Sequence, residues 1–221
     1  MFKILILGDV NAGKTSLVNR FVHDSFSPKE AATISCEFAY KQLPVEEALV
    51  KMQLWDIGGQ TRPSGMPRLF CRNSHGALVV FDLSKSDALN SAASWKEQVD
   101  QNAQLPDGSS LPIVLVGNKL DLLRAECGGR EDVDTSINQE CSLEKYAEEF
   151  GFSDVVCTSA KSGEGVADAF RALMRNVLQR DLKGGDFEES RYQVGQTSLT
   201  LMHSSSSIMQ PKKKCSRCKS N

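Results

Sequence analysis

Hydrophobic positions along the chain fall into two alternating kinds of segment. The first kind is a short continuous apolar run: Phe2-Lys3-Ile4-Leu5-Ile6-Leu7, Gly76-Ala77-Leu78-Val79-Val80-Phe81 and Pro112-Ile113-Val114-Leu115-Val116. Runs without a polar face fit strands covered on both sides, as in a parallel sheet between helices. Val50-Lys51-Met52-Gln53-Leu54-Trp55 alternates in part and predicts a neighbouring strand, and Val155-Val156-Cys157 predicts a short last one. In the second kind the period lengthens. Trp95, Val99 and Ala103 recur at spacing four, and Val166, Ala169, Phe170, Leu173, Val177 and Leu178 trace one helical face. Strand alternating with helix predicts an α/β fold with a mostly parallel sheet. Ligands of such folds bind beyond the carboxyl ends of the strands.

Two segments break the pattern. Residues 124–140 are polar, with Gly128-Gly129 and several acids, and predict a long surface loop or insertion. From about Asp181 the chain turns polar again, with Gly184-Gly185 and the serine run 204–207. The expected organisation is one domain over residues 1–180 and a flexible tail over 181–221.

Composition narrows the class. A chain of 221 residues that is 40% hydrophobic and 24% charged can bury one sizeable core and is neither fibrous nor disordered. A net charge of -2 supplies no positive field, so nucleic acid is not an expected partner. No apolar run approaches the roughly 20 residues of a membrane helix. The run Ile4 to Leu7 is cut off by Gly8-Asp9, so no secretory signal is expected. Seven cysteines, the first five scattered, do not make a disulfide framework, and a reducing compartment is the default.

The chemistry lies just after the apolar runs. The first runs straight into Gly8-Asp9-Val10-Asn11-Ala12-Gly13-Lys14-Thr15, which is G-x-x-x-x-G-K-[ST] with a strand before it and a helix after it. Glycines let the backbone wrap a phosphate, and the helix N-terminus adds a positive dipole. Lys14 can reach terminal phosphates, and the Thr15 hydroxyl can ligate Mg²⁺. Asn118-Lys119-Leu120-Asp121 follows another strand. The Asp121 carboxylate can accept from guanine N1–H and its exocyclic amine, a pair that adenine does not offer. Lys119 can lie along the base, and Asn118 can tie two loops together. Ser159-Ala160-Lys161 follows the last strand, where a backbone N–H can meet guanine O6. Trp55-Asp56-Ile57-Gly58-Gly59-Gln60 follows the third strand: Asp56 can hold Mg²⁺, Gly59 N–H can sense a γ-phosphate, and Gln60 can orient an attacking water. Thr33 lies in a loop where its hydroxyl can close over the metal, although alone it would read as an ordinary loop threonine. Phe26 can stack near the base or serve as plain core.

With these motifs in place, residues 1 to about 180 resemble a Ras-superfamily small GTPase, and more closely the Rab branch. The resemblance implies the P-loop small GTPase fold, a mostly parallel six-stranded sheet with helices on both faces. It implies a nucleotide site over residues 8–16 (Gly8 to Ser16), with Lys14 and Gln60 catalytic and Thr15, Thr33 and Asp56 on Mg²⁺. Phe38, Trp55 and Phe70 fall where Rabs carry an effector-binding aromatic triad. Segments 50–57, 79–84 and 105–109 look like the Rab subgroup of lysosome-related organelles. The expected function is a GTP/GDP switch in membrane trafficking that hydrolyses GTP, acts as a monomer, and works with an exchange factor, a GTPase-activating protein and effectors. A GTP-locked scaffold with negligible turnover is the alternative.

Departures from the family pattern are specific. Val10 and Asn11 stand at phosphate-loop positions that are often small, and a branched Val10 beside Gln60 predicts slow hydrolysis. Ser35-Cys36 replaces Gly-Val, Gly58 replaces alanine, and Thr61 and Pro63 replace acidic and aromatic residues. At the other end, Lys212-Lys213-Lys214-Cys215-Ser216-Arg217-Cys218-Lys219 holds five basic residues and no acid. Basic charge with two cysteines suits an anchor on an anionic cytoplasmic leaflet. By resemblance Cys215 and Cys218 are prenylation candidates, with the protein cycling between an intracellular membrane and cytosol. An unmodified solvated tail is the plainer reading, and a zinc site lacks a second ligand pair.

Overall fold

In a computed structural model, the structure of the protein describes residues 1–46, 48–60, 66–85, 87–105, 108–126, 133–184 and 192–194. The expected apolar runs become β1 (Phe2–Leu7), β3 (Ala48–Ile57), β4 (Gly76–Asp82), β5 (Ile113–Asn118) and β6 (Asp154–Cys157), joined by β2 (Cys36–Val45). Their order is β2-β3-β1-β4-β5-β6, and every pairing is parallel except that of β2 with β3. β1 lies in the middle, with Ile4 level with Leu54 on one side and Gly76 on the other.

Alternation along the strands explains why their sequences look uniformly apolar. Ile4, Ile6, Leu54, Leu78, Val80, Val114 and Val116 fill one face, against α1 (Lys14–His23) and α6 (Val166–Gly184). Leu5, Leu7, Ala77, Val79, Ile113 and Leu115 fill the other, against α3 (Ala88–Asn102) and α5 (Val133–Phe150). Both faces are covered, so no strand in the centre needs a polar side. Phe21 of α1 stacks on Phe170 of α6 at 3.8 Å, which fixes α1 on the sheet. Trp95, fully buried, anchors α3 on the opposite face. A one-turn helix, α2 (Arg68–Cys71), precedes β4.

Two differences from the sequence reading stand out. The polar stretch 124–140 is not a loop over most of its length. α4 (Leu120–Glu126) runs into it and α5 starts at Val133, while residues 127–132 are outside the described set. A helix lying on the surface needs only a thin apolar stripe, here Leu143 and Ala147 further along, so its first turns read as polar. The second difference is β7 (Tyr192–Val194), a seventh strand that pairs antiparallel with Ala48–Val50 at the start of β3. Part of the segment read as tail therefore adds to the sheet.

Candidate functional site

The loops that follow the parallel strands meet at one end of the sheet and enclose a cavity of about 640 Å³. That volume suits a small-molecule ligand of nucleotide size. Lys14, Thr15, Thr33, Gln60, Asn118 and Asp121 all line it. Phe26 lines it too and is 36% exposed, so it is not a core phenylalanine.

At the phosphate end, β1 stops at Leu7 and α1 begins at Lys14, so the intervening loop lies at the mouth of the helix. The Lys14 ammonium is buried under it and donates to the carbonyls of Gly8 and Asp9, both at 2.9 Å. Burial pushes its pKa down, and the nearby Asp56 and Asp9 carboxylates oppose that shift. A cation is thus held beneath a loop of backbone amides, an arrangement that favours an anion. Asp9 is an acid inside that loop, but its carboxylate turns to α3. Oδ1 accepts from Trp95 Nε1 at 2.9 Å and Oδ2 accepts from the Ser91 hydroxyl. The helical period identified Trp95 only as a core position; its indole N–H also braces this loop.

Beside Lys14, three side chains from three elements converge. The Thr15 hydroxyl donates to Asp56 Oδ2 at 2.6 Å and lies 2.7 Å from Thr33 Oγ1, which is 3.4 Å from the same carboxylate oxygen. The other oxygen, Asp56 Oδ1, is buried with no hydrogen-bond partner among the described residues. Burial raises the Asp56 pKa, against hydrogen bonds from Thr15 and Thr33 and the Lys14 charge. Hard oxygen donors, one ionisable and one oxygen unsatisfied, fit a small divalent cation such as Mg²⁺.

Two glycines let the segments around Thr33 and Gly59 close on this cluster. A Cβ on Gly58 would stand 2.5 Å from Thr33 O, and Gly58 N–H donates to Ser35 O at 2.8 Å. Alanine, usual in the resembled family, would push the Thr33 loop away. A Cβ on Gly59 would stand 2.5 Å from Val10 N and 2.6 Å from Lys14 Nζ, so this segment lies against the phosphate loop. Val10 is 43% exposed and lines the cavity with Gln60. Cys36, beside this region, has its thiol pushed up to about 11, by burial first and the Asp56 charge second, so it stays protonated at neutral pH.

At the opposite end Asn118 is the tie. It is 1% exposed. Its Nδ2 donates to Ala12 O at 2.9 Å, and its Oδ1 accepts from Ala160 N at 3.1 Å and Thr158 Oγ1 at 3.3 Å. One side chain thereby joins the phosphate loop to the loop after β6. Asp121 Oδ1 accepts the Ser159 hydroxyl at 2.6 Å, and Ser159 Oγ accepts Ser162 N–H at 3.1 Å. Lys119 pairs with the buried Asp82 at 2.7 Å. Burial pushes the Asp82 carboxyl up, but hydrogen bonds from Lys119 and Ser84 outweigh it and hold the pKa below normal. Asp82, Ser91 and Arg20, which grips the loop after β6 through its guanidinium, were not legible as site residues.

A third cluster lies on the outer surface. Phe38 meets Trp55 edge-on at 4.5 Å, and Trp55 meets Phe70 at 6.3 Å. Lys3 Nζ sits 3.7 Å over the Trp55 ring. Phe38 is more than half exposed, as are its neighbours Ile34 and Tyr40 and, on α2, Leu69. These side chains form an exposed apolar cluster on the outer surface. Thr61, Pro63, Cys215 and Cys218 lie outside the described residues.

Comparison with known proteins gives a consistent picture. The Ras family model matches residues 3–179. Ras-related protein Rab-32 of Mus musculus is 37% identical over 179 residues, which cover 80% of this chain and 76% of that protein. Rab-32A of Dictyostelium discoideum is 33% identical over 197 residues, 88% of this chain and 86% of its own length. Rab-7L1 of Homo sapiens is 33% identical over 180 residues, 81% and 83% of the two chains.

Proposed function

The chain belongs to the Ras family, as a Rab small GTPase of the Rab-32 group, and on that premise we propose that the cavity is a guanine-nucleotide site in which Lys14, Thr15, Thr33, Asp56 and Gln60 bind and hydrolyse GTP. The observation that carries this reading is the convergence of Thr15, Thr33 and Asp56 within hydrogen-bond distance of one another, beside a buried lysine. As a member of its family the protein is a GTP-binding switch in membrane trafficking and a GTP hydrolase.

The residues have separate tasks. Lys14 binds the terminal phosphates, and the amides of residues 8–16, from Gly8 and Asp9 to Ser16, cradle them with Asn11 and Gly13 at the rim. Mg²⁺ held by Thr15, Thr33 and Asp56 would supply neutralising charge at the phosphate oxygens. Gln60 orients a water for attack, and Gly59 N–H meets the γ-phosphate. Asp121 reads the purine edge, Lys119 and Phe26 flank the ring, and Asn118 holds the two halves of the pocket together. A backbone N–H among Ser159, Ala160 and Lys161 meets O6. Catalysis here is positioning and charge stabilisation. Thr33 and Gly59 sit on segments that touch each other through Gly58, so loss of the γ-phosphate would release both together and alter the Phe38–Trp55–Phe70 face.

Residues 1–180 act as the nucleotide-dependent unit and 181–221 as its tether. Cys215 and Cys218, with five neighbouring basic residues, attach the tether to a cytoplasmic membrane surface once lipidated. Among the described residues no helix is long and apolar enough to cross a membrane. Exchange factors, activating proteins and effectors engage the protein as a monomer.

Extraction of the nucleotide that co-purifies with recombinant protein tests the reading. GDP is expected, whereas GTP alone would support the locked scaffold and ATP would refute the guanine site. Val10, exposed beside Gln60, makes a further expectation specific. Val10→Gly should raise the single-turnover hydrolysis rate about tenfold, equivalent to ~1.4 kcal/mol of barrier. An unchanged rate would clear Val10 of any part in slowing the reaction.

A further inference from the structure

Arg20 lies on α1, six residues after Lys14 and about 9 Å further along the helix axis. Its guanidinium leaves the helix sideways and meets the loop after β6. Nε donates to Ala160 O at 2.9 Å and Nη2 donates to Lys161 O at 2.8 Å. Nη1 turns back to the end of its own helix, donating to Asp24 O and Asp24 Oδ1, both at 2.9 Å. The Arg20 side chain is 17% exposed, and its bond to Ala160 O is partly buried. A planar fork with fixed N–H directions can serve two consecutive carbonyls at once, which a lysine ammonium cannot do with the same geometry.

The loop itself is tied from within. Ser159 N donates to Glu164 O at 2.9 Å, Gly163 N to Ser159 O at 2.8 Å, and Ser162 N to Ser159 Oγ at 3.1 Å. These bonds shape the turn. The loop is held to the rest of the site by Asn118, through Ala160 N–H, by Asp121, through the Ser159 hydroxyl, and by Arg20 on the outer side, through the carbonyls of Ala160 and Lys161. α1 is packed against the sheet, with Leu17, Val18 and Phe21 buried. A rigid helix whose first turn carries Lys14 and Thr15 thus holds the base loop in register with the phosphate loop.

We propose that Arg20 is a positioning residue for base recognition: it presents the Ser159–Lys161 backbone to O6 of a bound guanine. This deepens the reading of the cavity as a guanine-nucleotide site and rests on it. The consequence is atom-specific. Losing Arg20 should weaken the contact to O6 in particular, while contacts to the phosphates and to the N1–C2 edge survive.

The test compares GDP with 6-thioguanosine diphosphate, which keeps N1–H and the amine and replaces O6 with sulfur, a much weaker hydrogen-bond acceptor. Equilibrium affinities are measured for full-length wild type, Arg20→Gln, Arg20→Lys and Asp24→Ala, with melting curves alongside. In wild type, replacing O6 with sulfur should cost about tenfold, the worth of one hydrogen bond with its partner left poorly matched. In Arg20→Gln that cost should fall to about twofold, with GDP itself bound about tenfold more weakly. Arg20→Lys should resemble Arg20→Gln, because the fork and not the charge does the holding; it also serves if the glutamine variant does not fold. Asp24→Ala removes only an exposed ion pair and should keep full discrimination. If both arginine variants discriminate as wild type does, Arg20 is a plain staple of the fold and the proposal fails alone. If wild type is itself indifferent to O6, the guanine reading fails and takes the proposal with it.

Discussion

Asp121→Asn is expected to turn the protein from guanosine to xanthosine nucleotides. Asp121 is held in place by a hydroxyl donor, Ser159, at 2.6 Å on Oδ1, and that serine already accepts Ser162 N–H. Ser159 must therefore go on donating to residue 121. In the variant the amide oxygen stays on the serine side and the amide nitrogen turns to the cavity. A donor then faces the N1–H and amine of guanine, where two charge-assisted bonds to an acceptor stood before. Each such bond is worth about 1.5–3 kcal/mol, so guanosine diphosphate should weaken by about 10³-fold. Xanthine carries a carbonyl where guanine carries the amine, and should bind the variant better than GDP. Competition against a fluorescent nucleotide measures both. Guanosine affinity surviving at wild-type strength would refute the assignment of the base pocket.

Asp56→Asn should separate stability from function. In the protein without nucleotide, the Asp56 carboxylate is buried, its Oδ1 has no hydrogen-bond partner among the described residues, and burial lifts its pKa. A carboxyl whose folded pKa lies above its unfolded value binds protons more tightly in the folded state. Its ionisation therefore lowers stability as pH rises through the acid range, and the full cost is present at neutral pH. Asparagine keeps an oxygen for the Thr15 hydroxyl and removes the charge. The melting temperature of the nucleotide-free variant at neutral pH should be no lower than wild type, and its decline with rising pH in the acid range should be shallower. Hydrolysis in the presence of Mg²⁺ should fall by roughly 10²–10³-fold, the scale seen when one preorganised electrostatic group is lost. A variant that melts well below wild type, or that keeps Mg²⁺-dependent turnover, would show that Asp56 is structural. Stability given up at a working site is the usual trade.

The legible parts of the fold and site share a property: their signal is local. Ile4 to Leu7 leading into Gly8 and Lys14 places strand, loop and helix within a dozen residues, and the structure follows. The base-edge tetrapeptide Asn118 to Asp121 needs only the strand before it. What the sequence hid is carried by contacts between distant positions. Lys119 meets Asp82, 37 residues away, Trp95 meets Asp9 across 86, and Arg20 meets Ala160 across 140. No spacing rule announces such pairs, because they depend on which loops the sheet order brings together. The Asp9 carboxylate is the sharpest instance: its place in the phosphate loop is written locally, but its direction is set by α3. The start of α5 was missed for an energetic reason, since a helix supported along one thin stripe tolerates polar residues nearly everywhere else. β7 is three residues long and offers no period at all.

The contact between Trp95 and Asp9 has an optical consequence. The chain holds two tryptophans, Trp55 and Trp95. One indole is bonded to the phosphate loop, and the other sits between Phe38 and Phe70 with an ammonium over its ring. Light absorbed beyond the tyrosine band is therefore emitted from beside the Gly8–Thr15 loop and from the exposed Phe38–Trp55–Phe70 cluster, and from nowhere else. The protein carries its own pair of lamps, one against Asp9 and one among Phe38 and Phe70, and silencing either by a phenylalanine leaves the other to report alone.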